Sequence, residues 1–178
     1  MNPSFLFTSP RLGFRLWQDS DLPSFSAMNA DEETMRYFEK PLSEEESKAM
    51  MERMNNLYED RGYCYFAIES LENGALIGMI GLGWKTFEAD FTPCVDIGWR
   101  LDKRFWNQGF ASEGAMRVIE SAKKKGIKEV FSIASKDNLA SIRVMGKIGL
   151  NYLRDFDHPD LIRSPELNPC CLYSISFY

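Results

Sequence analysis

A strand, a tight loop and the start of a helix follow one another in residues 96–115, which read Asp-Ile-Gly-Trp-Arg-Leu-Asp-Lys-Arg-Phe-Trp-Asn-Gln-Gly-Phe-Ala-Ser-Glu-Gly-Ala. As far as Leu101, apolar residues alternate with small or charged ones, which is typical of a strand. The Asn-Gln-Gly turn at residues 107–109 then precedes a set of apolar residues at helical spacing. This set consists of Ala111, Ala115, Val118, Ile119 and Ala122.

The junction between this loop and the helix predicts an anion-binding site. Backbone N–H groups in the first turn of a helix have no acceptor within the helix, and they lie at the positive end of its dipole. Such a site suits phosphate. Gly109 lets a phosphate approach the backbone because it has no β-carbon. Asn107 tolerates a left-handed backbone, and Ala111 is expected to keep the first helical position small.

Two common phosphate-binding motifs are absent from the sequence, whereas a third matches. The chain has no Gly-x-x-x-x-Gly-Lys-Ser/Thr sequence, and Gly81-Leu-Gly-Trp lacks the third glycine of a dinucleotide fingerprint. Residues 96–99 and 106–113 instead resemble the coenzyme A pyrophosphate loop of the GNAT N-acetyltransferases, in particular the RimJ/RimL-like branch of ribosomal-protein N-terminal acetyltransferases. The family form is acid-Ile-Gly-aromatic followed by Trp-Gly-Gln-Gly-aromatic-Ala-Thr/Ser-Glu. Asn107 stands here where glycine is usual.

A second motif supports the resemblance. Residues 135–150 read Ser-Lys-Asp-Asn-Leu-Ala-Ser-Ile-Arg-Val-Met-Gly-Lys-Ile-Gly-Leu, which is similar to the family's Asn-x-x-Ser helix ending in Lys-x-Gly-aliphatic. The two motifs occur in the expected order, with a helix and a strand between them. The resemblance extends from Arg11 to Phe177, and its specific residues lie in the second half. Glu113 also matches the first motif, although the helix dipole and capping explain an acid in a first turn.

The order of the predicted elements agrees with the fold that the resemblance implies. Strand, helices, three strands, helix, strand, helix and two strands follow one another, which predicts an α/β protein whose sheet is mixed. We therefore predict a single-domain GNAT-like fold over residues 1–178. Its central sheet should have about seven strands, with about four helices on both faces.

Local signals predict several of these elements in detail. Ser43-Glu-Glu-Glu46 is a capping box that begins a helix, and Gly62 ends it. Asn73-Gly74 between two apolar runs predicts a hairpin. Glycines within the second of these runs predict bulges or close backbone contacts. They are Gly78, Gly81 and Gly83.

Composition limits the class of protein. A net charge of −5 and a pI near 5.0 argue against a nucleic-acid-binding protein, which would have a basic stripe. The four cysteines have no Cys-x-x-Cys spacing and there is one histidine, so no zinc or other metal site is expected. The first residues have no basic segment or long apolar run, so we expect neither a signal peptide nor a membrane span. The resulting prediction is a cytoplasmic protein.

The resemblance implies that acetyl-CoA is the co-substrate. Its pyrophosphate would lie on residues 106–112, and its pantetheine arm would pair like an extra strand with residues 99–101. Asn138 would bind a pantetheine amide, and a backbone N–H near Trp99 or Leu101 would form the oxyanion hole. The cofactor-binding residues implied in this way are Trp99, Arg100, Leu101, Trp106, Asn107, Gln108, Gly109, Phe110, Ala111, Ser112, Asn138 and Ser141.

Three side chains are candidates for the proton transfers of such a reaction. Asp96 occupies the acidic position of the family strand. It is a candidate base that takes a proton from the amine. Alternatively, it has no catalytic role and only orients the ammonium of the acceptor or braces the neighbouring strand. Met145 stands where many members have a tyrosine that protonates the leaving thiolate, so Ser141 and Tyr173 are the alternative donors. Ser141 could equally be a small residue that makes room for the pantetheine arm. Tyr173 could equally be a core tyrosine whose hydroxyl is hydrogen-bonded.

The function implied by the resemblance is N-acetylation by direct attack of an amine on the thioester in a ternary complex. The acceptor is a protein N-terminus or a small-molecule amine such as a polyamine, an amino acid or an antibiotic, selected by the helices of residues 21–61 and the loops at Phe87 and His158. The missing tyrosine leaves open a non-enzymatic acyl-CoA-binding sensor. A nucleotide-binding regulator is a third class, and the formation of a homodimer is open.

Overall fold

The computed structural model describes residues 5–177, in which eight strands form one sheet with five α-helices against it. The strands are β1 (Phe7–Thr8), β2 (Leu12–Arg15), β3 (Tyr65–Ser70), β4 (Leu76–Lys85), β5 (Cys94–Leu101), β6 (Glu129–Ser135), β7 (Asn151–Phe156) and β8 (Cys170–Ser176). The helices are α1 (Leu22–Ala30), α2 (Glu32–Met35), α3 (Glu44–Arg61), α4 (Phe110–Lys124) and α5 (Leu139–Lys147).

The sheet is mixed, as predicted. Its strand order is β1-β2-β3-β4-β5-β6-β8-β7. All neighbouring strands are antiparallel except β5 and β6, which are parallel and are connected through α4. Parallel neighbours need such a crossover connection, because a hairpin can only join antiparallel strands. The single parallel pair therefore lies at the centre of the sheet, beside the motif at residues 96–115.

Helices cover both faces of the sheet. In the β4–β5 ladder Ile80 pairs with Trp99 and Met79 pairs with Arg100, so these two pairs project to opposite faces. Helix α4 packs on the Ile80 face, where Gly114 lies directly against the Ile80 side chain. Helix α1 contacts the Arg100 face and packs against α3 there, whereas α5 lies beside α4. The two faces are called the α4 face and the α1/α3 face below.

Helix α3 has the limits that the sequence predicts. The Ser43 hydroxyl accepts a hydrogen bond from the backbone N–H of Glu46, and the Glu46 carboxylate accepts one from the backbone N–H of Ser43. The helix ends at Gly62, whose φ of 73° is left-handed. Met51 and Met54 are buried in the core. The capping box and the C-terminal glycine are confirmed, and these two methionines are core residues.

The predicted counts of about seven strands and about four helices are slightly low. Strand β1 has two residues, which is too short to give a recognisable hydrophobic period, and the four-residue α2 forms a helix of its own within the helical segment expected after Asp31. Helix α4 begins at Phe110, so the expectation that Ala111 is its first residue is wrong by one position. Gly109 is the N-cap with a left-handed φ of 83°, and this conformation lets the helix begin immediately after it.

Glycines in β4 are sites of close backbone approach, as the sequence predicts. A β-carbon on Gly81 would lie 1.9 Å from the carbonyl oxygen of Cys64 and 2.7 Å from the α-carbon of Tyr65. A β-carbon on Gly78 would lie 2.3 Å from the carbonyl oxygen of Arg100. Since the obstructing atoms belong to the backbone of neighbouring strands, no side-chain rotation can relieve these contacts.

The substitution Gly81→Ala should therefore destabilise the protein by about 3 kcal/mol, because the new methyl group forces β3 and β4 apart. The matched control is Gly146→Ala in α5, where a β-carbon would meet nothing within 4 Å. This control should stabilise the protein by about 0.5–1 kcal/mol, since alanine has the higher helix propensity. Chemical denaturation measures both values, and equal midpoints for the two variants would contradict this account of the sheet.

Candidate active site

A gap opens between the two parallel strands β5 and β6. Within residues 5–177 their ladder consists of one pair, Asp96 with Phe131. Directly after it, the Ile97 carbonyl oxygen accepts a hydrogen bond from the Ser132 hydroxyl at 3.0 Å instead of from a β6 backbone N–H. Because peptide groups alternate in direction along a strand, Trp99 turns its N–H and C=O to the same side as Ile97. The Trp99 peptide group therefore faces the gap and has no β6 partner in the described ladder.

The loop after β5 is fastened to the end of that strand. The Trp106 indole Nε1–H donates to the carbonyl oxygen of Leu101 at 2.8 Å, and the Gln108 side-chain amide donates to that of Arg104 at 2.9 Å. The indole donor of Trp106 is thus used to hold the loop to β5, whereas the Gln108 amide keeps a second N–H. Any contact of Trp106 with a phosphate through an N–H group would come from its backbone.

Asn107 has the left-handed backbone that its residue type tolerates, and Gly109 is left-handed as well. Asn107 has a φ of 59° and Gly109 has a φ of 83°. The first helical hydrogen bond runs from the Glu113 N–H to the Gly109 carbonyl oxygen at 3.0 Å. The N–H groups of Phe110, Ala111 and Ser112 precede it and have no acceptor within the helix. Unpaired N–H groups at the start of a helix are able to bind an anion.

Glu113 clamps this helix start to the opposite edge of the sheet. Its carboxylate accepts hydrogen bonds from the Ser9 hydroxyl at 2.7 Å and from the Arg11 backbone N–H at 2.9 Å, and it pairs with the Arg11 guanidinium at 2.7 Å. The same guanidinium donates to the Gln108 carbonyl oxygen at 3.1 Å and stacks on the Phe110 ring. Burial acts to raise the pKa of Glu113, but the hydrogen bonds and the cation outweigh it and lower the pKa. Glu113 has a structural role.

Helix α5 begins near the open end of the gap. Asn138 is its N-cap, since its side-chain oxygen accepts from the Ser141 N–H at 3.2 Å. The amide nitrogen of that side chain and the Ser141 hydroxyl make no hydrogen bonds within residues 5–177, so both remain available to a ligand. The Tyr37 hydroxyl donates a hydrogen bond to the carbonyl oxygen of Asp137 at 3.0 Å. Met145 is 1% exposed and belongs to the core.

Asp96 is buried and is bonded to a tyrosine that the sequence does not identify. The Tyr65 hydroxyl donates to Asp96 Oδ1 at 2.6 Å, and Lys85 Nζ lies 3.8 Å from the same oxygen. The Tyr65 ring fits over Gly98, where a β-carbon would lie 3.1 Å from the ring, and beside Gly83. Burial raises the pKa of Asp96, while Lys85 and the Tyr65 hydroxyl oppose this rise. Burial also raises the pKa of Tyr65 well above its ordinary value.

Arg100 is the second buried charge on β5. Its side chain is 8% exposed on the same face as Asp96, since the two positions differ by four residues. Its Nη1 donates to the Asn29 side-chain oxygen at 2.8 Å, and its guanidinium carbon lies 4.0 Å from the centre of the Phe38 ring. Burial lowers the pKa of Arg100 to about 10. Asp96 and Arg100 thus place two charged side chains on the face of β5 that is covered by α1 and α3.

The predicted catalytic side chains do not form one cluster. Asp96 is in register with Phe131, and Phe131 is in register with Ser174, so these three share a face of the sheet. Tyr173 is the next residue along β8 and therefore projects to the α4 face. Ser141 belongs to α5, beside α4. Asp96 thus lies on the α1/α3 face with Tyr65 and Arg100, whereas Tyr173 and Ser141 belong to the other side.

Neither a metal site nor a membrane-spanning helix is present in the part of the chain that the structure describes. No group of three or more His, Cys, Asp or Glu side chains in residues 5–177 could hold a metal ion. Each helix in the same residues is too short or too polar to cross a lipid bilayer.

Comparison with known proteins agrees with this geometry. The family model for the acetyltransferase (GNAT) domain matches residues 11–151. The chain is 28% identical to the N-acetyltransferase YnaD of Bacillus subtilis over 145 residues, which are 80% of this chain and 81% of YnaD. It is 36% identical to an FsC-acetyl coenzyme A-N(2)-transacetylase of Aspergillus fumigatus over 73 residues, which are 40% of this chain and 30% of that enzyme.

Solved structures share the fold. The ribosomal L7/L12 α-N-protein acetyltransferase RimL in complex with coenzyme A superimposes with a TM-score of 0.79 at 18% identity, covering 98% of both chains. The family model spans most of the chain, and the sheet, the gap and the helix start have the arrangement that the resemblance implies. The chain belongs to the GNAT acetyltransferase family and is an acetyl-CoA-dependent N-acetyltransferase.

Proposed function

We propose that acetyl-CoA lies along the gap beside β5, with its diphosphate at the start of α4 and its thioester near Trp99. The observation that carries this proposal is the early end of the β5–β6 ladder, because it leaves peptide groups of β5 exposed along a groove. The bond from Trp106 to the Leu101 carbonyl keeps the phosphate-binding loop at the end of the same groove. One extended ligand can therefore contact both.

The residues around the groove suit the parts of this co-substrate. The diphosphate would accept hydrogen bonds from the N–H groups of residues 110–112, with Gly109 allowing close approach. The pantetheine arm would pair with the Trp99 peptide group as an additional strand. Asn138 would use its free amide nitrogen to donate to a pantetheine carbonyl. Its capping bond uses only the side-chain oxygen, so the structural role and the binding role are compatible.

The acetyl group would lie where a backbone donor can stabilise the oxyanion. The Trp99 N–H faces the gap and is held in position by the β4–β5 ladder. A donor fixed in this way stabilises the negative charge that develops on the carbonyl oxygen during attack by the amine. The leaving thiolate could accept a proton from Ser141, whose hydroxyl is free at the open end of the gap. Tyr173 is a second candidate from the α4 face.

The amine would enter from the α1/α3 face, where Asp96 serves as its base through Tyr65. The Tyr65 ring lies over Gly98, between Asp96 and the Trp99 peptide group, so it obstructs a direct approach to the carboxylate. The Tyr65 oxygen can instead take a proton from the ammonium while its own proton passes to Asp96 Oδ1. The raised pKa of Asp96 suits this role, since a base works best when its pKa approaches the working pH.

Cofactor binding can be tested at the two ends of α4. The substitution Gly109→Gln should raise the dissociation constant of coenzyme A at least about tenfold, because a side chain would occupy the phosphate position. The control is Gly126→Gln at the other end of the helix, since Gly126 has a φ of 75° and nothing within 4 Å of its added β-carbon. Both variants bear similar backbone strain. Isothermal calorimetry giving equal affinities for them would refute the proposed phosphate site.

The proton relay can be tested with a double-mutant cycle. Tyr65→Phe and Asp96→Asn should each lower kcat about 100-fold, and the double variant should be no slower, because both remove the same relay. Thiol release from acetyl-CoA with a panel of amines measures the rates. Tyr58→Phe, which removes the hydroxyl of a tyrosine packed on Phe66, should leave kcat unchanged. Full activity of Tyr65→Phe would exclude the relay.

The pKa shift of Asp96 also predicts a pH dependence of stability. A carboxyl whose pKa is raised by folding contributes stability at low pH, and this contribution is lost as the pH rises through the folded-state pKa. Between about pH 4 and about pH 7, the free energy of unfolding of Asp96→Asn should therefore rise relative to that of the wild type.

The matched control is Asp102→Asn, because the pKa shift of Asp102 has the opposite sign. Burial acts to raise the pKa of Asp102, but hydrogen bonds from Arg104 outweigh it and the net shift is downward. The resulting stabilisation is present above about pH 4 and is lost only as the pH falls through the lowered pKa, so between about pH 4 and about pH 7 the stability of this variant relative to the wild type should stay nearly constant. Urea titrations at several pH values measure both trends, and parallel trends for the two variants would contradict the assignment of Asp96 as the buried, charge-destabilised carboxyl.

A further inference from the structure

Arg100 is a buried cation without a carboxylate partner. It is 8% exposed, yet it forms no ion pair with any acid in residues 5–177. Within this range both of its polar contacts come from Nη1, to the Asn29 oxygen at 2.8 Å and to the Met50 sulfur at 4.0 Å. Its Nε is buried and has no hydrogen-bond acceptor. Uncompensated burial of this kind is costly, so the protein retains it for a reason other than packing.

Another arginine of this chain demonstrates how the same fold neutralises a buried guanidinium. Arg15 is 5% exposed, and it donates to Asp21 through both Nη atoms at 2.7 and 2.8 Å and to Glu69 through Nε at 2.8 Å. All three of its nitrogens therefore have carboxylate acceptors. Arg100 is buried to a similar extent, but no carboxylate within residues 5–177 pairs with it. The free edge is therefore particular to Arg100 and is not shared by the buried Arg15 of the same sheet.

The free edge of Arg100 has the shape that a carboxylate requires. The Nε–H and one N–H of Nη2 lie parallel on one side of the planar guanidinium. Nε is buried without an acceptor, and the Arg100 hydrogen bonds found within the described residues both come from Nη1. Two parallel donors of this kind bind the two oxygens of one carboxylate. Nη1 is on the other edge and is already held by Asn29, while Phe38 covers the flat side. The side chain is thus fixed with one edge available.

The position of Arg100 places that edge on the acceptor side of the sheet. Arg100 projects to the α1/α3 face, as do Asp96 and Gly98, over which the Tyr65 ring lies. It is the neighbour of Trp99, whose peptide group faces the gap. Along this face the Tyr65 hydroxyl lies over Gly98, which is two residues of strand from Arg100, or about 7 Å between α-carbons. A molecule between the Tyr65 hydroxyl and Arg100 would meet a proton acceptor at one end and a cation at the other.

We infer that the acceptor amine also carries a carboxylate, which binds to the free edge of Arg100 while the amine lies near Tyr65. The acceptor class is therefore an amino acid, or a peptide with a free carboxylate close to its amine, and not a polyamine or an aminoglycoside. This inference rests on the proposed function, because it assigns the partner of the amine-binding face. Arg100 then acts as a specificity-determining residue, since the wrong acceptor leaves its buried donors unpaired.

The test uses acceptors in matched pairs. Alanine, lysine, phenylalanine, glutamate and glycylglycine are each compared with the corresponding carboxamide, and spermidine is added as an acceptor without a carboxylate. Thiol release from acetyl-CoA gives kcat/KM for every compound. The wild-type enzyme should prefer at least one free carboxylate over its amide by about tenfold or more.

Two variants assign the preference to Arg100. Arg100→Met retains a long apolar side chain and should reduce kcat/KM about tenfold or more for the preferred acid, while changing that of its amide less than about twofold. The KM for acetyl-CoA should not change, because the pantetheine arm would pair with the backbone of residues 99–101 and the Arg100 side chain projects to the α1/α3 face. Arg53→Met, which removes an exposed arginine of α3, should leave both acceptors unaffected. Thermal unfolding of both variants establishes that they are folded.

The outcomes separate the inference from the function on which it rests. If no compound releases thiol although coenzyme A binds, the proposed acetyl transfer to amines fails. If amines are acetylated and every acid and amide pair reacts equally, or spermidine is preferred, the inference about Arg100 is overturned and acetyl transfer stands. If the acid is preferred and Arg100→Met retains that preference, another residue binds the carboxylate and the assignment to Arg100 is likewise overturned.

Discussion

The structure depends on an interruption of one parallel strand pair. Strands β5 and β6 are in register at Asp96 and Phe131, and the Ser132 hydroxyl then takes the place of the next backbone donor. Backbone groups inside a sheet are normally paired, because an unpaired buried N–H or C=O costs free energy. An unpaired Trp99 peptide group that faces the gap is therefore unfavourable unless a ligand or a water molecule forms hydrogen bonds with it. The gap can stay open because β4 is hydrogen-bonded to the other side of β5 along the full length of β5.

The phosphate end of the site is held by contacts between distant parts of the chain. Asn107 and Gly109 provide the left-handed turns that bring the N–H groups of α4 to the end of the gap. Arg11 then connects this turn to the far edge of the sheet through Glu113 and the Gln108 carbonyl, across about a hundred positions of sequence. A loop held from both sides loses little further entropy on binding, which favours an anion site that exists before the ligand arrives.

Local patterns in the sequence predicted the elements well, since the signals for a strand, a hairpin turn or a helix cap lie within a few residues. The capping box at Ser43, the hairpin at Asn73 and the left-handed loop residues are of this kind, and the family motifs extended the prediction to the fold. The short β1 was missed because two residues have no full period, whereas the acidic cap at Asp31 was enough to predict a helical segment at α2. The partners of Asp96 and Glu113 were missed because they depend on which strands become neighbours. In the sequence, Tyr65 has only the features of an ordinary strand residue. The space for its ring is provided by Gly83 and Gly98, which lie on two other strands.

A comparison of Arg15, Asp96 and Arg100, three of the buried charged residues in the sheet, indicates that stability alone cannot account for its polar residues. Arg15 is saturated by Asp21 and Glu69, so its burial is compensated within the fold. Asp96 and Arg100 share one face of β5, and each is left with less compensation than its depth requires: burial raises the pKa of Asp96 and lowers that of Arg100 to about 10. Both shifts oppose the charged form, so each group would gain from a ligand of opposite charge. Two such groups of opposite sign on one strand match a molecule that carries both an ammonium and a carboxylate, and this match connects the electrostatics of the sheet to the choice of acceptor.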